Sequence, residues 1–374
     1  MRITTIETIP VSVPLEPARM ISSARGAHDR SPFVLVLIHT DAGAVGLGEV
    51  SCTSRWSGED STTAIHVIDR YLRPRLEGRD PREVARLAAG LEAALVGHHF
   101  TKAGVEMALW DLLGKALDAP VHHLLGGLAR ERLRTKLSIG GSDTQRACSI
   151  AAWGLEQGFT AMKLKVAIDT VPRDLARVAA VRETVGNDVL LGVDANGGWQ
   201  RHEARRAITG LAELGVAFVE QPLAPRDLEG MAELRRVARL PMMADDAVGT
   251  PEDALAVVRA DAADLLSLYV GMAGGIGPAQ RAAAVASAAG LGWTIGSNLE
   301  LGVGMAAQTQ LALAAPGLAD DVAPCDVISP SYYPSVLLRD ASWIRPGEVV
   351  PPPGPGLGVE LDLDAVEHYR EDRR

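Results

Sequence analysis

A two-residue alternation opens the chain: Ile3, Thr5, Glu7 and Ile9 alternate with their neighbours, the period of a half-buried β-strand. Residues 33–40 follow as a run rich in Val, Leu and Ile. The turn Asp41-Ala42-Gly43 then leads into 45–50, and together these predict a hairpin. Between the first strand and the hairpin lies a polar, aperiodic stretch, 16–31, carrying Arg19, Arg25, His28 and Arg30. A loop of that length is uncommon in a compact domain unless it is functional or disordered.

Over 60–118 the period becomes helical. Ile65, Ile68, Leu72 and Leu76 form one stripe, Val84, Leu87, Leu91 and Leu95 a second, and Val105, Ala108, Leu109 and Leu112 a third. Strands followed by helices predict an α+β module over 1–127. Beyond Arg134, short β-rich segments recur at 135–139, 161–166, 189–194, 217–221, 241–245, 264–269 and 292–297, each followed by a helical pattern. Their spacing of about 25 to 30 residues is that of a strand, a helix and their loops. Seven such units, with an eighth expected after Leu299, predict an α/β fold: a (β/α)7-8 TIM-like barrel over 128–335 rather than an open sheet. No Gly-x-Gly-x-x-Gly opens the first helix, which argues against dinucleotide binding. The segment 336–374 is rich in Pro and Gly at 345–356 and is expected to return to the N-terminal module and complete it.

With 374 residues, 47% of them hydrophobic, the chain can bury a core under both parts. A formal net charge of -10 argues against nucleic acid or an anionic membrane as partner. Apolar stretches such as 280–291 are too short to span a bilayer, and the start of the chain lacks a basic region before a long apolar run. A cytoplasmic location is therefore expected. Cys52, Cys148 and Cys325 are too scattered for a disulfide framework or a zinc cluster, and are read as reduced thiols.

Barrel enzymes keep their chemistry at the C-terminal ends of the strands. Here those ends are polar. The second carries Lys163 and Lys165, which alternation points the same way, into the barrel mouth. The third ends in Asp194-Ala195-Asn196, the fourth in Glu220-Gln221-Pro222 and the fifth in Asp245-Asp246. Any one of these acids alone reads as a helix cap or surface ion pair, and the lysines alone as a solvated face. Their conjunction on consecutive strands points elsewhere. Three carboxylates facing one space repel unless a cation neutralises them, and oxygen-only ligation suits Mg²⁺ or Mn²⁺ rather than zinc. Two adjacent lysines can lower each other's pKa, which would make one a base near neutral pH.

At these residues the chain resembles the mandelate racemase/muconate-lactonizing family of the enolase superfamily, and its muconate-lactonizing subgroup in particular. Val105-Glu106-Met107-Ala108-Leu109-Trp110-Asp111 and Leu124-Leu125-Gly126-Gly127 look like the domain-joining segment. Lys163-x-Lys165, Asp194-Ala195-Asn196, Glu220-Gln221-Pro222, Ala244-Asp245-Asp246, Gly274-Gly275-Ile276 and Ser297-Asn298-Leu299-Glu300 match barrel motifs. The resemblance implies that Asp194, Glu220 and Asp245 hold Mg²⁺, that Lys165 takes an α-proton, and that Lys163 assists electrostatically as an enediolate forms. It also implies a small carboxylate substrate, a homo-oligomer, and closure of the 16–31 loop over the substrate. Arg19, Arg25 and His28 are then candidate contacts, with Trp56, Asn196, Asp246, Asn298 and Glu300; His28 reads equally as an exposed loop histidine. Two positions depart from the subgroup. Tyr269 stands where the sixth strand normally ends in lysine, and Asp246 where glutamate is common.

The tyrosine bears on reaction type. A racemase needs an acid/base group on each face of a planar intermediate, and a phenol of reference pKa about 10 is a poor base at neutral pH. One-base chemistry, either syn β-elimination as in a dehydratase or cycloisomerisation, needs Lys165 alone. Tyr269 would then hydrogen-bond the intermediate or protonate a leaving hydroxyl, unless it is simply a packing aromatic. A racemase or epimerase of amino-acid derivatives is the second reading, and a metal-binding barrel without catalysis the third.

Overall fold

The computed structural model describes residues 1–27 and 29–372. Ile3–Pro14, Arg30–Thr40 and Val45–Ser51 form an antiparallel sheet with the Arg30–Thr40 strand in the centre. Pairs such as Val11 with Phe33 and Leu37 with Leu47 fix its register. The stretch between the first two strands is not wholly irregular. It holds a 3-10 turn, Pro17–Arg19, and a small hairpin of Ser22–Ser23 with Gly26–Ala27.

Helices cover this sheet. Ser61–Val67, Ile68–Leu72 and Arg73–Leu76 run on from one another, the middle piece being a π-turn, and Val84–Glu92 follows. Leu95 of the predicted second stripe lies past the end of that helix. The helix His99–Ala116 is buried on nearly every side because it lies between the sheet and the barrel. Its approach to the sheet is close enough to demand glycine. A Cβ on Gly48 would fall 1.7 Å from the Gly104 carbonyl oxygen.

Seven parallel strands then pair in chain order: Leu137–Ile139, Ala161–Lys165, Leu190–Asp194, Val219–Glu220, Met242–Ala244, Leu265–Leu268 and Gly292–Ile295. Helices return the chain between them, and local chemistry starts several. Asp143 caps Thr144–Gln157, and Thr250 with Asp253 makes a capping box at Pro251–Ala260. The eighth position is filled by a segment around Cys325 that makes only an isolated bridge. Cys325 N–H donates to the Arg134 carbonyl, Lys136 N–H to that of Cys325, and Asp326 N–H to that of Ile295, so the segment joins the first and seventh strands. This is an α/β TIM-like barrel carrying an α+β capping layer.

The tail returns across the capping layer. Leu357 N–H donates to Asp111 Oδ1, and Glu371 N–H donates to the Pro10 carbonyl of the first strand. No helix among the described residues is long and apolar enough to cross a membrane, and all three cysteines are free thiols.

Candidate active site

The C-terminal ends of the second to sixth barrel strands converge under the capping layer. Lys163 and Lys165 sit two apart on the second strand, so both ammonium groups reach the same interior. Lys165 Nζ donates to Asp194 Oδ2 at 2.5 Å and to Asn196 Oδ1 at 2.9 Å. Lys163 Nζ lies 3.1 Å from both Glu220 oxygens, 2.8 Å from Asp326 Oδ2 and 3.9 Å from Asp194 Oδ2.

Asp194, Glu220 and Asp245 are buried, and each offers a carboxylate oxygen within 4.8 Å of the others. The backbone around them is tightly held. Asn196 and Gln221 both adopt left-handed φ, at 44° and 36°. The Gln221 side chain ties two strand ends together, accepting from Asp245 N–H at 2.9 Å and donating to the Leu223 carbonyl at 2.8 Å. Asp245 Oδ1 is buried with no hydrogen-bond partner in the protein.

Electrostatics separate these groups. Burial, then the carboxylates of Asp246, Glu220 and Asp194, push the Asp245 acid well above its ordinary range. Burial raises Glu220 to about 7 against the pull of Lys163. Asp194 is lowered, because Lys165 and Lys163 outweigh the effect of burial. The expectation that the two lysines depress each other fails for Lys163. Burial does pull its ammonium down, but Asp326, Glu220, Asp194 and Asp245 together raise it well above the usual lysine value.

Buried, mutually repelling oxygens, one of them orphaned, fit a hard divalent cation, which would supply the missing counter-charge. The donor set is oxygen throughout, as Mg²⁺ or Mn²⁺ prefers.

A cavity of about 350 Å³ lies against this cluster, lined by Lys165, Asn196, Asp245, Asp246 and Tyr269, with Arg25, Trp56 and Asn298 among residues from the loops above. Arg25 pairs with Asp246 Oδ2 at 2.7 Å, and Trp56 Nε1 donates to Asp246 Oδ1 at 2.5 Å. The Trp56 ring stands 5.2 Å from that of Tyr269. Burial, then the carboxylates of Asp245, Glu220, Asp246 and Asp326, hold the Tyr269 phenol well above its ordinary pKa, hence protonated. Asn298 donates from Nδ2 to Ser51 Oγ and Thr53 Oγ1, tying the barrel to the capping layer.

Two candidates are not brought to the cavity. The Arg19 guanidinium lies 4.4 Å over the Trp153 ring and donates to the Ser331 carbonyl. Glu300 is buried and does not line the cavity; its Oε2 accepts from Ser297 Oγ at 2.5 Å and Asn298 N–H at 3.1 Å, bracing its own turn, while its Oε1 is buried with no hydrogen-bond partner among the described residues. His28 lies outside the described residues.

Two buried residues escaped the sequence reading. Asp326, from the eighth-position segment, lies between Lys163 and Lys136, and both ammonium groups hold its carboxylate at about 2 despite burial. Lys136 carried a legible signal: it alternates with Ser138 on the first strand, and both contact Asp326.

Residues 3–126 match the family described as "Mandelate racemase / muconate lactonizing enzyme, N-terminal domain", and 147–365 match "Enolase C-terminal domain-like". The chain belongs to the mandelate racemase/muconate lactonizing enzyme family. It is an enzyme of the enolase superfamily. It is 35% identical to a chloromuconate cycloisomerase of Cupriavidus pinatubonensis, over 96% of each chain. The solved muconate lactonizing enzyme of Pseudomonas fluorescens, complexed with muconolactone, superposes with a TM-score of 0.94 at 30% identity, over 99% of each chain. The N-succinyl Arg/Lys racemase of Bacillus cereus also gives 0.94, at 27% identity, over 99% of this chain and 98% of that one. Similar relatives thus include both cycloisomerases and racemases, and isomerase chemistry of this superfamily is common to them.

Proposed function

We propose that Lys165 is the sole acid/base group at the α-carbon of a small carboxylate substrate, removing the α-proton in a syn β-elimination or, in a cycloisomerisation, delivering a proton to the α-carbon of the enediolate that ring closure forms. The observation carrying this reading is the asymmetry of the cavity. Lys165 comes from the second strand, Tyr269 from the end of the sixth, and these are opposite positions in an eight-position barrel. Lys165 is the only lysine among the described residues lining the cavity. A phenol is protonated near neutral pH and so can donate a proton but is a poor base, and the face opposite Lys165 then lacks the partner that racemisation requires.

Asp194, Glu220 and Asp245 would hold Mg²⁺ or Mn²⁺. Such a cation supplies Lewis-acid stabilisation of the charge that develops on a substrate carboxylate. The chain's own residues do the rest. Lys165 Nζ, oriented by Asp194 and Asn196, receives the α-proton in an elimination and delivers one to the α-carbon in a ring closure. Trp56, Arg25 and Asp246 close one wall and limit water. In an elimination, the Tyr269 hydroxyl gives its proton to the departing hydroxide.

The two one-base outcomes draw on different support. The cycloisomerase and lactonizing relatives favour ring closure on an unsaturated diacid. Tyr269 favours elimination from a β-hydroxy acid. A racemase or epimerase of amino-acid derivatives is the second reading, favoured by the superposition on the N-succinyl Arg/Lys racemase.

Proton NMR in D₂O with Mg²⁺, over muconates, hydroxyprolines, N-acyl amino acids and proline betaines, tests the choice. The expected outcome is elimination or ring closure without exchange in the unreactive enantiomer. Deuterium entering the α-position from both enantiomers would overturn the one-base reading in favour of the second.

A further inference from the structure

Lys136 is fully buried beneath the candidate site and has no part in the chemistry above. An uncompensated ammonium there would be strongly unfavourable, so its partners are informative. Its Nζ donates to the Pro324 carbonyl and lies 2.9 Å from Asp326 Oδ2. The same carboxylate oxygen takes Lys163 at 2.8 Å, while Ser138 Oγ donates to Oδ1 at 3.2 Å. Asp326 is thus the nearest carboxylate to Lys163, with Glu220 at 3.1 Å and Asp194 at 3.9 Å.

Those distances decide where the Lys163 charge falls. With no ionised Asp326, its only acidic neighbours would be candidate cation ligands, and an ammonium seated on their oxygens competes with a metal for the same lone pairs. Lys136 answers a second need, because it gives buried Asp326 an ammonium partner of its own besides Lys163.

We propose that Lys136 and Asp326 are a positioning pair that shares the Lys163 ammonium with Glu220 and Asp194, so that these two candidate ligands do not hold the whole of its charge when they take a divalent cation. This rests on the metal reading above.

The test is Mn²⁺ binding, read from the EPR signal of free Mn²⁺, with folding of each variant checked by its unfolding midpoint. Asp326→Asn alone strands Lys136 and risks misfolding, so the main variant is Lys136→Met/Asp326→Asn, which leaves the total charge unchanged. Wild type should bind Mn²⁺, and the double variant should bind at least ~10-fold more weakly. Adding Lys163→Met to that background removes the competing ammonium and should restore affinity, a rescue that a merely structural role would not give. The proposal falls if the double variant binds like wild type, or if the triple variant binds no better than the double. Wild type that binds no Mn²⁺ would overturn the metal reading and this inference together.

Discussion

Glu49 and Asp326 are both buried carboxylates, yet burial wins at one and loses at the other. Asp326 belongs to the barrel mouth, where Lys136 and Lys163 hold it at about 2. Glu49 belongs to the joint between the capping layer and the barrel. It accepts from Leu301 N–H at 2.7 Å and Gly304 N–H at 2.9 Å, at the start of the helix Gly302–Ala314. Burial still raises it to about 8, with Glu300 adding repulsion. Glu106 repeats the device, accepting from Ile276 and Gly277 at the start of Ile276–Ala288 and from Trp110 Nε1, and burial carries it to about 7. A helix N-terminus offers about half a charge, less than a buried ammonium delivers. At the mouth, ammonium groups therefore hold Asp326 and Asp194 ionised, whereas the joint seats the capping layer on the barrel through Glu49 and Glu106, whose burial no ammonium offsets at hydrogen-bond distance.

The largest effect should come from breaking the mouth. Lys165→Ala removes the base while sparing the carboxylates, and steady-state turnover should fall by at least ~10³-fold with the unfolding midpoint little changed. Turnover near the wild-type rate would remove Lys165 from the mechanism. Next in size is the counter-charge. EDTA should abolish turnover and Mg²⁺ restore it, and Mg²⁺ at about 100 times its Kd should stabilise the fold by ~2.7 kcal/mol. Asp245→Asn should lose that stabilisation in the same thermal scan. A Mg²⁺ shift that survives in this variant would place the cation elsewhere.

What the sequence disclosed divides along the same line. The mouth was legible because strand period and strand order are local: the pattern that made 161–166 and 189–194 strands also put Lys163, Lys165 and Asp194 at one end. Asp326 was not, since its segment reaches the eighth position through a single bridge and carries no strand signal. The joint was equally hidden. Glu106 sits inside a segment recognised as domain-joining, but nothing local says that its carboxylate caps a helix 170 positions away. Glu300 and Arg19 show the converse, polar residues near a motif or in a candidate lid whose side chains meet local partners and do not line the cavity. Side-chain direction at the ends of irregular segments is set by tertiary closure, which periodicity does not encode.

The joint predicts a smaller, pH-dependent effect. A carboxyl whose folded pKa is raised binds protons that the unfolded chain has released, so its contribution is complete below about 4.5 and is lost as pH rises through its folded value. Wild type should therefore lose stability between pH 5 and 8, by a few kcal/mol at ~1.4 kcal/mol per unit of pKa difference. Glu49→Gln mimics the neutral acid. It should match wild type near pH 5 and exceed it at pH 8, in unfolding midpoints measured with saturating Mg²⁺ so that the mouth carboxylates stay ionised throughout. A slope identical to wild type would show that Glu49 is ionised in the folded protein across this range.

Glu106→Gln should give the smallest change, and its pH window is what separates it from Glu49. Its folded value of about 7 ends its contribution roughly a unit earlier. The variant should flatten the stability profile between pH 5 and 7 yet keep the wild-type slope from 7 to 8, where Glu49 alone of the pair still titrates. Glu49→Gln should lose the slope in that upper interval. The order follows from structure: Glu106 has three neutral donors and the nearby Arg281 opposing burial, whereas Glu49 has main-chain donors and a second buried acid beside it. If Glu106→Gln instead removed the slope above pH 7, the two joints would be inverted. The cationic side chain at Glu106 would then count for less than the helix terminus that both acids share.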